Sequence, residues 1–73
     1  MIKVYSKTVC PQCRMVKKFL DDKGVPYEEI NIEQNESAKE YLQSLNLTTV
    51  PVTVAPNGEI ILGFAVDDLR KLV

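Results

Sequence analysis

The two cysteines of the chain, Cys10 and Cys13, lie at the boundary between two different residue patterns. Residues 2–5 form a short β-favouring run, while the positions after the cysteines carry apolar side chains at helical spacing. Pro11 suits the first turn of a helix, because its missing N–H would have no partner there. The sequence therefore predicts a strand, a loop and a helix that begins at the cysteine pair.

Five further elements are expected after this helix, which we predict over residues 11–23, ahead of Gly24. Residues 25–32 favour a second strand, and Ser37 with Glu40 has the form of a capping box for a second helix. The Asn57-Gly58 pair between two apolar runs predicts a hairpin of residues 52–55 and 59–62, since both turn residues accept positive φ. A short last helix is expected to be capped by Asp67.

This order of elements predicts an α/β fold in which strand, helix, strand, helix, hairpin and helix succeed one another. A strand-helix-strand opening implies a parallel pair with a right-handed crossover, and the hairpin adds antiparallel strands. The result is a mixed four-stranded sheet flanked by three helices, in a single domain of residues 1–73.

Composition limits the classes of function. A chain of 73 residues has a thin core, so we expect its chemistry at the surface and no bound cofactor. Nine basic and ten acidic residues in mixed order argue against nucleic acid as a partner. No segment approaches the ~18 apolar residues of a membrane span or has the pattern of a signal peptide, so a soluble, cytoplasmic protein is expected. We also expect a monomer.

The chemistry that needs a Cys-x-x-Cys pair on a first helical turn is thiol-disulfide exchange. Cys10, near the unpaired N–H groups of the helix, is the expected nucleophile, and the more shielded Cys13 is expected to resolve the mixed disulfide. Lys7 and Arg14 are candidates for additional positive charge or for ordinary surface residues.

Two alternatives use the same cysteines without redox chemistry. The pair could be structural, as small buried side chains, or it could hold a metal. A structural zinc site needs four ligands, and the chain has two cysteines and no histidine. A Cu(I) carrier needs only two thiolates, but Pro11, the Val50-Pro51 step and the expected order of elements argue against it.

Three features together resemble the glutaredoxin family, over essentially the whole chain. They are Cys10-Pro11-Gln12-Cys13 after the first strand, Thr49-Val50-Pro51 before the third, and Gly63-Phe64 followed by Asp67. Within the family, Gln12 and the Gly63-Phe64 pair make the chain most similar to NrdH-type redoxins. NrdH-type proteins usually have Arg-Pro where this chain has Ala65-Val66.

The resemblance implies a thioredoxin fold, with Pro51 as a cis proline beside the cysteines. It also implies a dithiol carrier reduced by thioredoxin reductase, and so indirectly by NADPH, that passes electrons to ribonucleotide reductase or other protein disulfides. The alternative electron donor is glutathione, for which Lys7, Thr49, Val50 and Asp68 would be the contacts. The positions assigned to substrate or partner contact are Lys7, Pro11, Gln12, Thr49, Val50, Phe64, Asp67 and Asp68, with no metal ligand.

Overall fold

Seven elements follow one another in the computed structural model, which describes all residues 1–73. The elements are β1 (Ile2–Ser6), α1 (Pro11–Asp22), β2 (Tyr27–Asn31), α2 (Glu36–Ser44), β3 (Val52–Val54), β4 (Ile60–Leu62) and α3 (Val66–Arg70). The sheet has the order β2-β1-β3-β4, with β1 parallel to β2 and antiparallel to β3, and β3 antiparallel to β4. This confirms the expected mixed four-stranded sheet and three helices.

The core has two parts, one on each face of the sheet. Side chains alternate between the faces along β1, so Val4 and Tyr5 belong to different clusters. The first cluster joins the sheet to α1 and α3, and the second joins it to α2. Their buried members are Ile2, Val4, Val16, Leu20, Ile61 and Leu69 in the first, and Tyr5, Ala38, Leu42 and Val52 in the second.

Helix α1, at 12 residues, is the longest helix, and its buried stripe consists of Cys13, Val16 and Leu20. Met15 lies outside this stripe and is 47% exposed. The helix ends one residue earlier than expected, and Gly24 follows with a φ of +68°. No helix of the structure is both long enough and apolar enough to cross a membrane.

An ion pair fixes α1 against the edge strand β2. Lys17 Nζ lies 2.7 Å from Glu29 Oε2, and the buried Ser6 hydroxyl donates to the same oxygen at 2.9 Å. The hydrogen bond from Lys17 holds the pKa of the Glu29 carboxyl below its ordinary value, and the Ser6 hydroxyl adds to this effect. One carboxylate therefore connects α1, the end of β1 and β2.

The helix caps differ from the expected ones. Asn35, and not Ser37, caps α2, because its Oδ1 accepts the Ala38 N–H at 3.0 Å and the helix has already begun at Glu36. Helix α3 has Ala65 at its N-cap, with no side-chain cap hydrogen bond, so the prediction for Asp67 was also wrong. Asp67 lies inside the first turn, where the positive end of the helix dipole stabilises a carboxylate.

The hairpin between β3 and β4 forms where the Asn57-Gly58 pair predicts it, but with a different turn. Only Gly58 has a positive φ, of +88°, and its N–H donates to the Ala55 carbonyl at 2.9 Å. The Ala55 N–H donates to the Glu59 carbonyl at 2.9 Å, and the Asn57 side chain accepts the Glu59 N–H at 2.9 Å. This is the pattern of a three-residue loop with a glycine bulge.

We expect Thr53→Val to stabilise the protein. The Thr53 side chain is fully buried in β3 and its Oγ1 has no hydrogen-bond partner, so the hydroxyl loses hydration without compensation. Valine has a similar shape and should raise the free energy of unfolding by about 1 kcal/mol, measured by urea denaturation. The same change at exposed Thr48 is the control and should have little effect. A less stable Thr53→Val protein would show that the hydroxyl is hydrogen bonded in solution.

Candidate functional site

The cysteine pair lies at the N-terminus of α1, as the sequence predicts. Cys10 is the N-cap residue, with an extended backbone (φ −154°, ψ 99°), and Cys13 belongs to the first turn. The two residues are joined by a disulfide, with their Cα atoms 5.2 Å apart. Cys10 is 9% exposed, whereas Cys13 is 1% exposed and forms part of the buried stripe of α1.

The surroundings of Cys10 favour negative charge on its sulfur. The Cys13 N–H donates to Cys10 Sγ at 3.2 Å, as it would to the side-chain oxygen of a more usual cap residue. The first turn of α1 contains no acidic residue, while α2 has Glu36 and α3 has Asp67 and Asp68 in theirs. No carboxylate of this turn therefore competes with the sulfur for the positive end of the α1 dipole. Such a position favours a thiolate after reduction.

The segment before β3 lies next to Cys10. The Val50–Pro51 peptide bond is cis, as the resemblance implied, and Pro51 is buried. Cys10 Sγ lies 3.9 Å from the Val50 carbonyl oxygen, a contact that can become a hydrogen bond only when the sulfur carries a proton. Neither the N–H nor the carbonyl of Val50 pairs with another backbone group of the chain. Both are free to pair with an extended segment of another polypeptide.

A groove of about 660 Å³ runs past Cys10. It brings together five of the residues assigned to substrate or partner contact, namely Lys7, Pro11, Gln12, Thr49 and Val50. Lys7 is its only charged lining residue. Three lining residues were not predicted as contacts: Val9, Thr48 and Gly63. Gly63 had a signal in the Gly-Phe pair, and Val9 is an exposed apolar residue directly before the cysteine motif.

The other three assigned residues do not line this groove. Phe64 packs edge-on against Phe19, with ring centroids 6.5 Å apart, beside the first core cluster. Asp67 lies 3.8 Å from a guanidinium nitrogen of α3 and Asp68 lies 3.6 Å from the ammonium of Lys71. Arg14, a candidate for positive charge near the cysteines, lines a separate depression of α1 and β2.

Gly63 closes the groove on the side of β4. Its N–H donates to the Pro51 carbonyl at 3.0 Å, and its φ is +67°. A Cβ at this position would lie 3.5 Å from Gln12 Oε1. A side chain here would therefore occupy groove space. The residue that carries it would also have to adopt the left-handed backbone conformation that glycine adopts at this position.

No three of the histidine, cysteine, aspartate and glutamate side chains of the structure are close enough together to hold a metal ion. The chain also ends with a hairpin followed by a helix, the order that argued against a copper carrier.

Comparison with known proteins places these features in context. The family model for glutaredoxin matches residues 2–61. The glutaredoxin-like protein NrdH of Lactococcus lactis is 35% identical over 72 residues, which cover 99% of each chain. The gene 56 protein of Mycobacterium phage D29 is 36% identical, over 99% of this chain and 81% of that one.

Among solved structures, NrdH-redoxin from Escherichia coli superposes with a TM-score of 0.92 at 28% identity, over 99% of this chain and 93% of that one. That protein is described as glutaredoxin-like with a thioredoxin-like activity profile. The similarity extends over all seven elements, and the fold is thioredoxin-like.

We expect Gly63→Ala to weaken substrate binding as well as folding. Gly24→Ala is a matched control, because Gly24 has a φ of +68° but no neighbour within 4 Å of an added Cβ. Both changes should lower the free energy of unfolding by about 1 kcal/mol, measured by urea denaturation. Only Gly63→Ala should raise the Michaelis constant for insulin disulfides. Equal Michaelis constants for the two variants would show that substrate does not approach Gly63.

Proposed function

Because the chain belongs to the glutaredoxin family and is a thiol-disulfide oxidoreductase, we propose that it is a dithiol electron carrier with Cys10 as nucleophile and Cys13 as resolving cysteine. The observation that carries this assignment is the different environment of the two sulfurs. Cys10 Sγ accepts an N–H at the N-terminus of α1 and lines the groove, whereas Cys13 is shielded in the core.

The proposed reaction has two exchange steps. In the first, the Cys10 thiolate attacks one sulfur of a substrate disulfide, forms a mixed disulfide and releases the other substrate sulfur as a thiolate. In the second, the Cys13 thiolate attacks Cys10 Sγ and releases the remaining substrate sulfur. The substrate gains two electrons and takes up protons from solvent, and the carrier becomes the Cys10–Cys13 disulfide. A reductase then returns two electrons to this disulfide.

We propose thioredoxin reductase as the electron donor, with NADPH acting through that enzyme. Support comes from the similarity to NrdH proteins, including one with a thioredoxin-like activity profile. The groove also favours a neutral polypeptide, since eight of its nine lining residues are uncharged and Val50 has free backbone groups. By the same resemblance, the proposed acceptor is ribonucleotide reductase or another protein with a reducible disulfide.

Glutathione is the second candidate donor. Lys7, Thr49 and Val50 lie together in the groove beside Cys10, where they could contact the tripeptide. Asp68, the fourth expected contact, lies outside the groove and near Lys71. Glutathione carries two carboxylates and one ammonium group, and the groove offers a single lysine. These charges favour thioredoxin reductase over glutathione as donor.

The roles of the cysteines can be tested by trapping. In Cys13→Ser, the mixed disulfide on Cys10 cannot be resolved, so a covalent adduct with a disulfide peptide should accumulate and be visible by mass spectrometry. In Cys10→Ser, the shielded Cys13 should react at least tenfold more slowly, because access limits exchange. Equal adduct formation by the two variants would contradict the assignment.

The donor can be tested by NADPH consumption with insulin as the terminal acceptor. With thioredoxin reductase and no glutathione, we expect turnover that disappears in Cys10→Ser. With glutathione and glutathione reductase in place of thioredoxin reductase, we expect only slow turnover. Turnover confined to the glutathione system would reverse the choice of donor and make Lys7 and Thr49 contacts of the tripeptide.

A further inference from the structure

The loop of residues 7–9 forms one wall of the groove but has almost no support of its own. Lys7 and Val9 both line the groove, and Val9 is 79% exposed. All three loop residues are exposed, and none of them makes a hydrogen bond with another backbone group. Packing and secondary structure therefore do not explain the conformation of the loop that leads into Cys10.

Two side chains, one from the last residue of β2 and one from the turn after it, supply the hydrogen bonds of this loop. The Thr8 N–H donates to Glu33 Oε1 at 2.8 Å, and Asn31 Nδ2 donates to the Thr8 hydroxyl at 3.1 Å. The Glu33 N–H donates in turn to Asn31 Oδ1 at 2.9 Å. Thr8, Asn31 and Glu33 thus form a closed ring of hydrogen bonds. The two bonds to Thr8 are the only hydrogen bonds of residues 7–9.

The ring is attached to the sheet. The Ile32 N–H donates to the Ser6 carbonyl at 2.9 Å, which fixes the turn of Glu33 beside the end of β1. The Thr8 N–H lowers the pKa of the Glu33 carboxyl from its ordinary value, and Lys7 and Lys39 act in the same direction. The carboxylate is charged at neutral pH, and a charged acceptor makes a stronger hydrogen bond than a neutral one.

We infer that Glu33 is a positioning residue, whose carboxylate holds Thr8 so that Lys7 and Val9 form the groove wall against which a disulfide substrate binds. The inference rests on the proposed reduction of disulfides at Cys10 and extends it to substrate binding. Glu33 does not line the groove and takes no part in the exchange itself. Its loss should therefore affect the Michaelis constant more than kcat.

Three variants separate a hydrogen bond from a charge effect. Glu33→Ala removes both, Glu33→Gln keeps an oxygen that can accept the Thr8 N–H, and Glu28→Ala removes an exposed carboxylate of β2 that makes no hydrogen bond or ion pair. Rates are measured with insulin at rising concentration and dithiothreitol as electron source, after subtraction of the uncatalysed rate. This assay does not depend on which reductase the protein uses.

We expect Glu33→Ala to raise the Michaelis constant about fivefold, the equivalent of one hydrogen bond, with kcat nearly unchanged. Glu33→Gln should recover most of the loss, and Glu28→Ala should match the unmodified protein. Equal Michaelis constants for Glu33→Gln and Glu33→Ala would contradict the positioning role, because the charge of Glu33 and not its hydrogen bond to Thr8 would then explain the loss. An unchanged Michaelis constant in Glu33→Ala would overturn the inference.

The hydrogen bond from the Thr8 N–H to Glu33, which anchors the loop, can also be tested without an activity assay. In the 15N-labelled protein, the Thr8 amide should be protected from hydrogen exchange, and Glu33→Ala should abolish this protection while Glu33→Gln retains most of it. An unchanged Thr8 amide in Glu33→Ala would contradict the anchor even if activity fell. Failure of the unmodified protein to reduce insulin would instead count against the proposed function, and the amide measurement would still decide whether Glu33 holds the loop.

Discussion

The hydrogen bond from the Cys13 N–H to Cys10 Sγ connects the folding of this chain to its chemistry. It satisfies an N–H that would otherwise be unpaired at the start of α1, in the way a serine or asparagine side chain usually does. It also places the sulfur at the positive end of the helix, without a nearby carboxylate of that turn. The same sulfur lies 3.9 Å from the Val50 carbonyl oxygen, so it also reaches the segment before β3.

The groove around this sulfur follows from the topology of the sheet. Tyr5 of β1 pairs with Val52 of β3, and Val52 pairs with Leu62 of β4. Because both pairings are antiparallel, the end of β1, the start of β3 and the end of β4 lie at the same end of the sheet. The segments next to these strand ends are residues 7–10, residues 48–51 and Gly63. Together with the start of α1, they supply the lining of the groove.

The fold could be predicted from the sequence because most of its signals are local. Pro11 and Gly24 limit α1 by the backbone each allows, and Gly58 marks the hairpin in the same way. The caps were harder to predict, because Asn35 and Ser37 are both good cap residues and only the position at which the helix begins distinguishes them. For α3 the local signal was misleading, since the helix begins before Asp67 can act as a cap.

The site was predictable only in part, because some of its residues come together only through the tertiary fold. The cysteines and Pro51 belong to motifs, and the structure has the cysteine pair and the cis bond that these motifs predict. Val9 and Thr48 become groove residues only because β1 and β3 are neighbours in the sheet. The ring of Thr8, Asn31 and Glu33 joins residues 25 positions apart through a side chain and a backbone N–H, which leaves no periodic pattern in the sequence. Phe64 shows the opposite case, since a family motif residue packs with Phe19 beside the core.

Under the proposed function, the direction of α1 accounts for the choice of Cys10 as the nucleophile. A helix presents free N–H groups only at its first turn, so the first cysteine of the pair occupies the position that stabilises a thiolate. The second cysteine, three residues later, is carried into the buried stripe that also contains Val16 and Leu20. The same residue therefore contributes to a core that is small in a chain of this length, and its sulfur is bonded to Cys10 although Cys13 is only 1% exposed. Exchange of the two roles would require the helix to run in the opposite direction.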